Sequence, residues 1–266
     1  MDLGLLKKTA IVTGGASNIG RAISLVFARE GTNIVIGDID IPQAEKTAQE
    51  ANGLKAGGKA IVVKCDVTNR DDVTAMVKKG IDEFGRVDVL VNNVGWDNMM
   101  LFTETTPEFW DKVISINYKG VLNCTRAVLD HMIENKGGAI VSISSDASRM
   151  GEFKEAVYGG VKAAVNSFMK TIAREVGRFG IRANTVCPGV TIPKEDAQIG
   201  DKSMWKQAAG LFTPDQVEKI AKVYPLRKVG RPEDIAHAVV FLASNVAAGH
   251  ITGQVLSVSG GYSMVG

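Results

Sequence analysis

Ser145, Tyr158 and Lys162 are residue types that proton transfer uses, at spacings that could bring them together. Tyr158 and Lys162 are four residues apart, so on a helix they share one face, with Cβ atoms about 5–6 Å apart. A free phenol titrates near ~10, so roughly three units, or about 4 kcal/mol, must be found before it serves as a base near neutrality. An ammonium ~5 Å away in an effective dielectric of ~20 contributes about 3 kcal/mol, and a positively charged ring bound beside it would add more. Lys162 therefore has a physical role, since it favours the phenolate and can also hydrogen-bond a ribose. Ser145, thirteen residues before Tyr158, would donate to the oxygen of a reacting alcohol or carbonyl while Tyr158 exchanges its proton. Asn117 is a poor interior helix former placed inside a helical stretch, and its amide is read as holding a water that relays protons through Lys162. Gly159 and Gly160 each cost about 1 kcal/mol in a helix interior, which close approach of a ligand or a neighbouring helix would explain.

A tyrosine and a lysine at this spacing are, taken alone, more often an ordinary helix face. A second constellation lies upstream. An apolar run enters Thr13, Gly14, Gly15, Ala16, Ser17, Asn18, Ile19 and Gly20 and continues as a helix, a turn that delivers backbone N–H groups to a pyrophosphate. Asp38 ends the next apolar run, 18 residues after Gly20 (38 − 20), close to the ~20-residue interval at which an acid meets adenosine ribose hydroxyls. An acid there repels a 2′-phosphate, and neither the turn nor Ile39 offers a basic side chain, so NAD is expected rather than NADP. Asp66 and Val67 end the third run, and Asn93, Val94 and Gly95 the fourth, where adenine and ribose would lie. Each could also be plain turn chemistry.

The elements that must position these groups alternate. Strands are expected at Thr9–Thr13, Asn33–Gly37, Ala60–Cys65, Val87–Val91, Ala139–Ser144, Ile181–Val186 and Gln254–Val258. Helices are expected at Ile19–Glu30, Gln43–Leu54, Asp71–Phe84, Glu108–Glu134, Ala156–Phe179 and Pro232–Ala243. The strands are nearly continuous apolar runs, as strands covered on both faces should be. The expected fold is α/β, a Rossmann-type doubly wound parallel sheet with helices on both faces, and ligands beyond the carboxyl ends of its strands. Residues 191–226 delay the next crossover helix and mix Lys194, Lys202 and Lys206 with Met204, Trp205, Leu211 and Phe212. They read as a substrate lid inserted in a single domain of 266 residues.

Composition narrows the partners. With 31 basic and 29 acidic residues interspersed, there is no polybasic arm for nucleic acid or anionic lipid. No apolar run approaches the ~20 residues that span a bilayer, and no signal peptide is recognisable. Cys65, Cys124 and Cys187 are widely spaced, which fits free thiols in the cytoplasm. The three histidines, His131, His237 and His250, lack metal-ligand spacing, so no metal is expected. A small-molecule substrate follows.

These motifs resemble the short-chain dehydrogenase/reductase family over essentially the whole chain. The resemblance rests on TGGASNIG at 13–20, NNVG at 92–95, Asn117, ISS at 143–145, YGGVK at 158–162 and CPG at 187–189. It implies a catalytic Asn117, Ser145, Tyr158 and Lys162, seven strands, a homotetramer, and cofactor contacts from Pro188, Gly189 and, where the family often has a threonine and this chain has Pro193, from Thr191. The family's middle turn glycine is Asn18, tolerable because Asn enters left-handed conformations. Ser259 stands where an Asp is common. Within the family, the segments around Trp96–Asp97, Asp146–Arg149 and Glu155–Tyr158 are similar to 2-hydroxycyclohexanecarboxyl-CoA dehydrogenases, which implies a cyclic β-hydroxyacyl-CoA whose phosphates Arg149 and the lid lysines would meet. Two alternatives stay open: an NADPH-dependent 3-oxoacyl thioester reductase, which Asp38 opposes, and a nucleotide-binding subunit without chemistry, which the intact Ser145, Tyr158 and Lys162 oppose.

Overall fold

Seven strands form one parallel sheet: β1 (Thr9–Thr13), β2 (Asn33–Asp38), β3 (Ala60–Lys64), β4 (Val89–Asn92), β5 (Gly138–Ile143), β6 (Ile181–Pro188) and β7 (Val255–Val258). The computed structural model describes residues 2–193, 195, 198–207 and 212–265. The strand order is β3-β2-β1-β4-β5-β6-β7, so the winding reverses between β1 and β4, the position where such sheets open a ligand crevice.

Side chains alternate across this sheet. Ala10 and Val12 of β1, Ile34 and Ile36 of β2, and Val89 and Val91 of β4 pack into one core with Ile23 and Phe27 of α1 (Asn18–Arg29), Ala44 of α2 (Ile41–Gly53) and Ile235 of α10 (Pro232–Ala243). Ile11, Val35 and Leu90 point the other way, onto Met76 of α3 (Arg70–Phe84), Val128 of α5 (Gly120–Glu134) and Met169 of α7 (Ala156–Val176). Both faces are therefore apolar, and each large side chain fully buried here contributes about 1.5–3 kcal/mol. Local signals set the helix ends. Asp40 caps α2 through Gln43 N–H, and Asn69 caps α3 through Asp71 and Asp72 N–H. Gly85 closes α3 at φ 80°, a left-handed cap that glycine takes without strain.

One expectation changes. The long helix expected over Glu108–Glu134 is α4 (Pro107–Ile114) and α5, joined by a π-turn over Ser115–Lys119 in which the Gly120 N–H bonds the Ser115 carbonyl. The segment over 191–226, read as a lid, holds α8 (Met204–Gln207) and α9 (Pro214–Val223). Lys194 and Leu211 of that segment lie outside the described residues. Two further short α-helices are α6 (Ala147–Met150) and α11 (Asn245–Ala248). No helix among the described residues is long and apolar enough to cross a membrane.

Candidate active site

A chamber of about 1120 Å³ opens at the carboxyl ends of the strands, over the point where the winding reverses. Its floor begins at the turn after β1. Thr13 Oγ1 donates to the Val91 carbonyl at 3.2 Å and accepts the Asn93 N–H at 3.0 Å, which ties the ends of β1 and β4 together. Asn93 Nδ2 donates to the carbonyls of Thr13 and Gly14, both at 3.0 Å. The Asn93 amide thus holds the turn, a structural role that its sequence position does not reveal. Gly20 is obligatory, because a Cβ there would come within 2.0 Å of the Gly14 carbonyl oxygen and 2.5 Å of Asn93 Nδ2. Asn18 takes the left-handed conformation expected of it, at φ 47°. Its amide is sealed from solvent, and neither Nδ2 nor Oδ1 has a hydrogen-bond partner.

An orphaned amide at a helix N-terminus, beside a cradle that no Cβ could enter, fits a phosphate-bearing ligand. Asp38 stands across this turn. Its Oδ2 accepts the Ala16 N–H at 3.0 Å and its Oδ1 the Asp40 N–H at 2.9 Å. Burial raises its pKa, and these two N–H groups work against that rise. Ser17, Ile19, Ile39, Asp66, Val67, Val94 and Gly95 line the same chamber. Asp66 also accepts from the Thr68 N–H and hydroxyl, so the turn chemistry read as its alternative is present too. At the far end, Gly189 and Thr191 follow β6, with Thr191 Oγ1 on the Gly189 carbonyl and the Val190 N–H on Tyr224 Oη, each at 3.0 Å. Tyr224 was missed in the sequence, where nothing separates it from a surface tyrosine.

Ser145, Tyr158 and Lys162 meet in this chamber as their spacing predicts. Ser145 follows β5, and its hydroxyl opposes the rise in the Tyr158 phenol's pKa. Lys162 is 2% exposed and reaches back to β5, donating to the Ile143 carbonyl at 2.9 Å, with its ammonium 5.5 Å from the Tyr158 ring centre. The electrostatics differ from expectation. Burial pushes the Tyr158 phenol up, and the carboxylates of Glu155 and Asp97 push it further. Burial also brings Lys162 down to about 8, which weakens the cation that was expected to favour the phenolate. Glu155, one turn before Tyr158, is itself raised to about 7 by burial and by Asp97 and Glu152. Asp97 is raised to about 6 by burial, and its Oδ2 is sealed without a partner.

Asn117 is fully buried in the π-turn, and both N–H donors of its amide are taken within the chain. Nδ2 donates to the carbonyls of Trp96 at 2.7 Å and Val113 at 2.9 Å, and Oδ1 accepts the Trp96 N–H at 3.1 Å. The side chain pins the loop that carries Trp96 and Asp97. Gly95 fits between the two polar residues: a Cβ there would be 3.2 Å from Asn117 Oδ1 and 3.3 Å from Lys162 Nζ. Of the two glycines after Tyr158, Gly159 is explained by close approach, with a Cβ 3.0 Å from the Ala147 carbonyl oxygen, whereas Gly160 faces open space.

The basic side chains expected to meet CoA phosphates, Lys194 apart, each have a partner within the chain. Lys202 donates to the Ile39 carbonyl at 3.0 Å, Lys206 pairs with Asp201 at 3.3 Å, and Arg149 donates to the Val265 carbonyl. Trp205 and Phe212 from the same segment pack together, ring centres 5.3 Å apart, and line the chamber. Among the described residues no group of acids, cysteines and histidines is arranged to hold a metal ion.

Residues 14–263 match the family described as enoyl-(acyl carrier protein) reductase. The 3-oxoacyl-[acyl-carrier-protein] reductase FabG of Thermotoga maritima is 35% identical over 96% of this chain and 97% of its own length. The (2S)-[(R)-hydroxy(phenyl)methyl]succinyl-CoA dehydrogenase subunit BbsD of Thauera aromatica is 37% identical over 98% and 99%. A 3-oxoacyl-[acyl-carrier-protein] reductase of Synechocystis is 36% identical over 98% of both chains. With a tyrosine, a serine and a lysine converging above a glycine-rich turn, and relatives matched over nearly their whole length, the chain belongs to the short-chain dehydrogenase/reductase family, oxidoreductases that use a nicotinamide cofactor on hydroxyl and ketone groups.

Proposed function

We propose that this protein is an NAD-dependent dehydrogenase that interconverts a secondary alcohol and its ketone, with a β-hydroxyacyl thioester as the substrate class. The observation that carries the cofactor reading is Asp38, held by the Ala16 and Asp40 N–H groups at the end of β2, where a carboxylate accepts from ribose hydroxyls and repels a 2′-phosphate. The thioester reading draws on the relatives, whose names specify acyl-carrier-protein and CoA thioesters. The same names favour a second reading, a reductase working on a 3-oxoacyl thioester.

Ser17, Asn18 and the α1 N-terminus would hold the pyrophosphate, Asp38 the adenosine ribose, and Tyr158, Lys162, Gly189 and Thr191 the nicotinamide end. When bound, the nicotinamide exchanges the hydride, and in its oxidised form its positive charge favours a nearby phenolate. The chain's own residues manage the proton. Ser145 Oγ donates to the substrate oxygen and fixes its position. Tyr158 Oη, raised by burial and by Glu155 and Asp97, rests as a phenol, the form that gives a proton to a carbonyl in the reductive direction. Lys162, anchored on Ile143, returns that proton to the phenolate. Asn117 positions Trp96 and Asp97 against the reacting centre.

The test follows absorbance of the reduced cofactor with NAD⁺ or NADP⁺ against cyclic and aryl β-hydroxyacyl-CoA thioesters beside their free acids. Turnover with NAD⁺ and thioesters is expected. Preference for NADP⁺ overturns the reading of Asp38, turnover of the free acids alone overturns the thioester class, and no turnover with any pair returns the chain to nucleotide binding without chemistry.

A further inference from the structure

The chain after β6 returns to the turn that precedes α1. Gly200 donates its N–H to Ser17 Oγ at 2.8 Å, and Lys202 donates its N–H to Asp40 Oδ2 at 3.2 Å and its ammonium to the Ile39 carbonyl at 3.0 Å. A Cβ on Gly200 would lie 2.6 Å from Asp40 Oδ2 and 2.8 Å from Ser17 Oγ, so any other residue would have to displace one of these two side chains. Two consequences follow. Ser17 Oγ takes the Gly200 N–H on a lone pair, which leaves its own proton to donate to a ligand. Beside it, Asn18 keeps a sealed amide without a partner.

Charge completes the argument. A dinucleotide brings a dianionic pyrophosphate, yet residues 13–20 contain no basic side chain, β2 ends in Asp38, and Asp40 follows as the cap of α2. Of the other cations lining the chamber, Lys112 lies 3.7 Å over the Trp96 ring, Lys162 is anchored on Ile143, and Lys219 stands on α9. Among the described residues lining the chamber, Lys202 is the cation hydrogen-bonded to the rim formed by Ile39 and Asp40.

We propose that Gly200 and Lys202 belong to the cofactor site, closing with Ser17 and Asn18 a cradle for the phosphates at its adenosine end, where Lys202 supplies the positive charge. The proposal rests on the cofactor reading above. It makes residues 198–203 a wall of the nucleotide site, and Lys202 a determinant of cofactor affinity that is separate from the substrate.

Binding of NADH, ADP-ribose and uncharged adenosine is measured by calorimetry across a salt series. Lys202→Gln is expected to weaken NADH and ADP-ribose roughly five- to tenfold and to flatten the salt dependence of their Kd, with adenosine unchanged and Lys202→Arg restoring both. Lys206→Gln, removing an exposed charge paired with Asp201, serves as the control and is expected to bind like the wild type. Equal weakening of adenosine would mean that Lys202 merely shapes the segment, and an unchanged Kd for all three would remove it from the site; either overturns the proposal alone. A wild-type protein that binds neither NADH nor ADP-ribose overturns the cofactor reading itself.

Discussion

The Lys162 ammonium hydrogen-bonds the Ile143 carbonyl at 2.9 Å, so the last residue of β5 fixes the cation that stands beside Tyr158. Because Ser145 leaves the same strand two residues later, one strand end positions both partners of the phenol.

Removing that phenol separates chemistry from binding. Tyr158→Phe keeps the ring and its packing but leaves no proton to exchange, so kcat should fall by roughly 10³-fold or more, while the Kd for NADH stays within about twofold of the wild type. Single-turnover absorbance and equilibrium fluorescence give the two numbers. Undiminished turnover would remove Tyr158 from the acid/base role.

Glu155 sets a pH dependence of opposite sign to the usual carboxylate. Its pKa is raised from 4.5 to about 7 in the folded protein, so between those values the folded state holds more proton than the unfolded chain, and stability falls as pH rises. Glu155→Gln should flatten the decline in Tm across this window and stabilise the protein above pH ~7 by on the order of 1–3 kcal/mol. Because the Glu155 charge raises the phenol, the same substitution should move the rising limb of the alcohol-oxidation pH profile to lower pH. A limb that stays in place would show that Glu155 does not act on Tyr158.

Gly95 lies against both Asn117 and Lys162. Gly95→Ala places a methyl 3.2 Å from Asn117 Oδ1 and 3.3 Å from Lys162 Nζ, and one of them must move. Displacement of a reacting group by a fraction of an ångström should lower kcat by about tenfold or more with little change in Tm. Asn117→Ala should do the reverse in part: it frees the Trp96 loop and leaves three buried backbone groups without their partner, costing roughly 2–4 kcal/mol as well as activity. Thermal unfolding measured beside turnover distinguishes the two variants.

Asp38→Asn removes the charge that opposes a 2′-phosphate and keeps the volume. The ratio of kcat/KM for NAD⁺ over NADP⁺ should drop by roughly tenfold or more, mainly through a lower KM for NADP⁺. An unchanged ratio would place discrimination elsewhere.

Much of this was legible in the sequence because its signals are local. Pro232 after Arg231 starts a helix that ends at Ala243 as expected, and continuous apolar runs found all seven strands within a few residues. The meeting of Ser145, Tyr158 and Lys162 follows from a strand end and a helical period. What escaped depends on contacts between distant segments. The π-turn at 115–119 has no compositional mark, and the commitment of the Asn117 amide to Trp96 could be seen only once the two were adjacent. The raised phenol owes most to burial, with Glu155 and Asp97 adding to it, and no spacing places Asp97 there. Helix α9 did carry a local signal that went unused: Thr213 and Gln216 form a reciprocal capping box with Pro214 between them.

The π-turn also makes segment length a functional quantity. One residue more than an α-helix needs is accommodated between Ser115 and Gly120, and in a helix each residue advances the face by about 100°. Deleting any one residue from that stretch would leave a regular helix that still buries an apolar stripe, yet every side chain before or after the deletion would turn by that angle. Asn117 would leave the Trp96 loop, or Gly120 would leave Val67, where a Cβ already has only 2.6 Å. Insertions and deletions tolerated in the surface loops would therefore be rejected here, although the chain would still read as helix throughout.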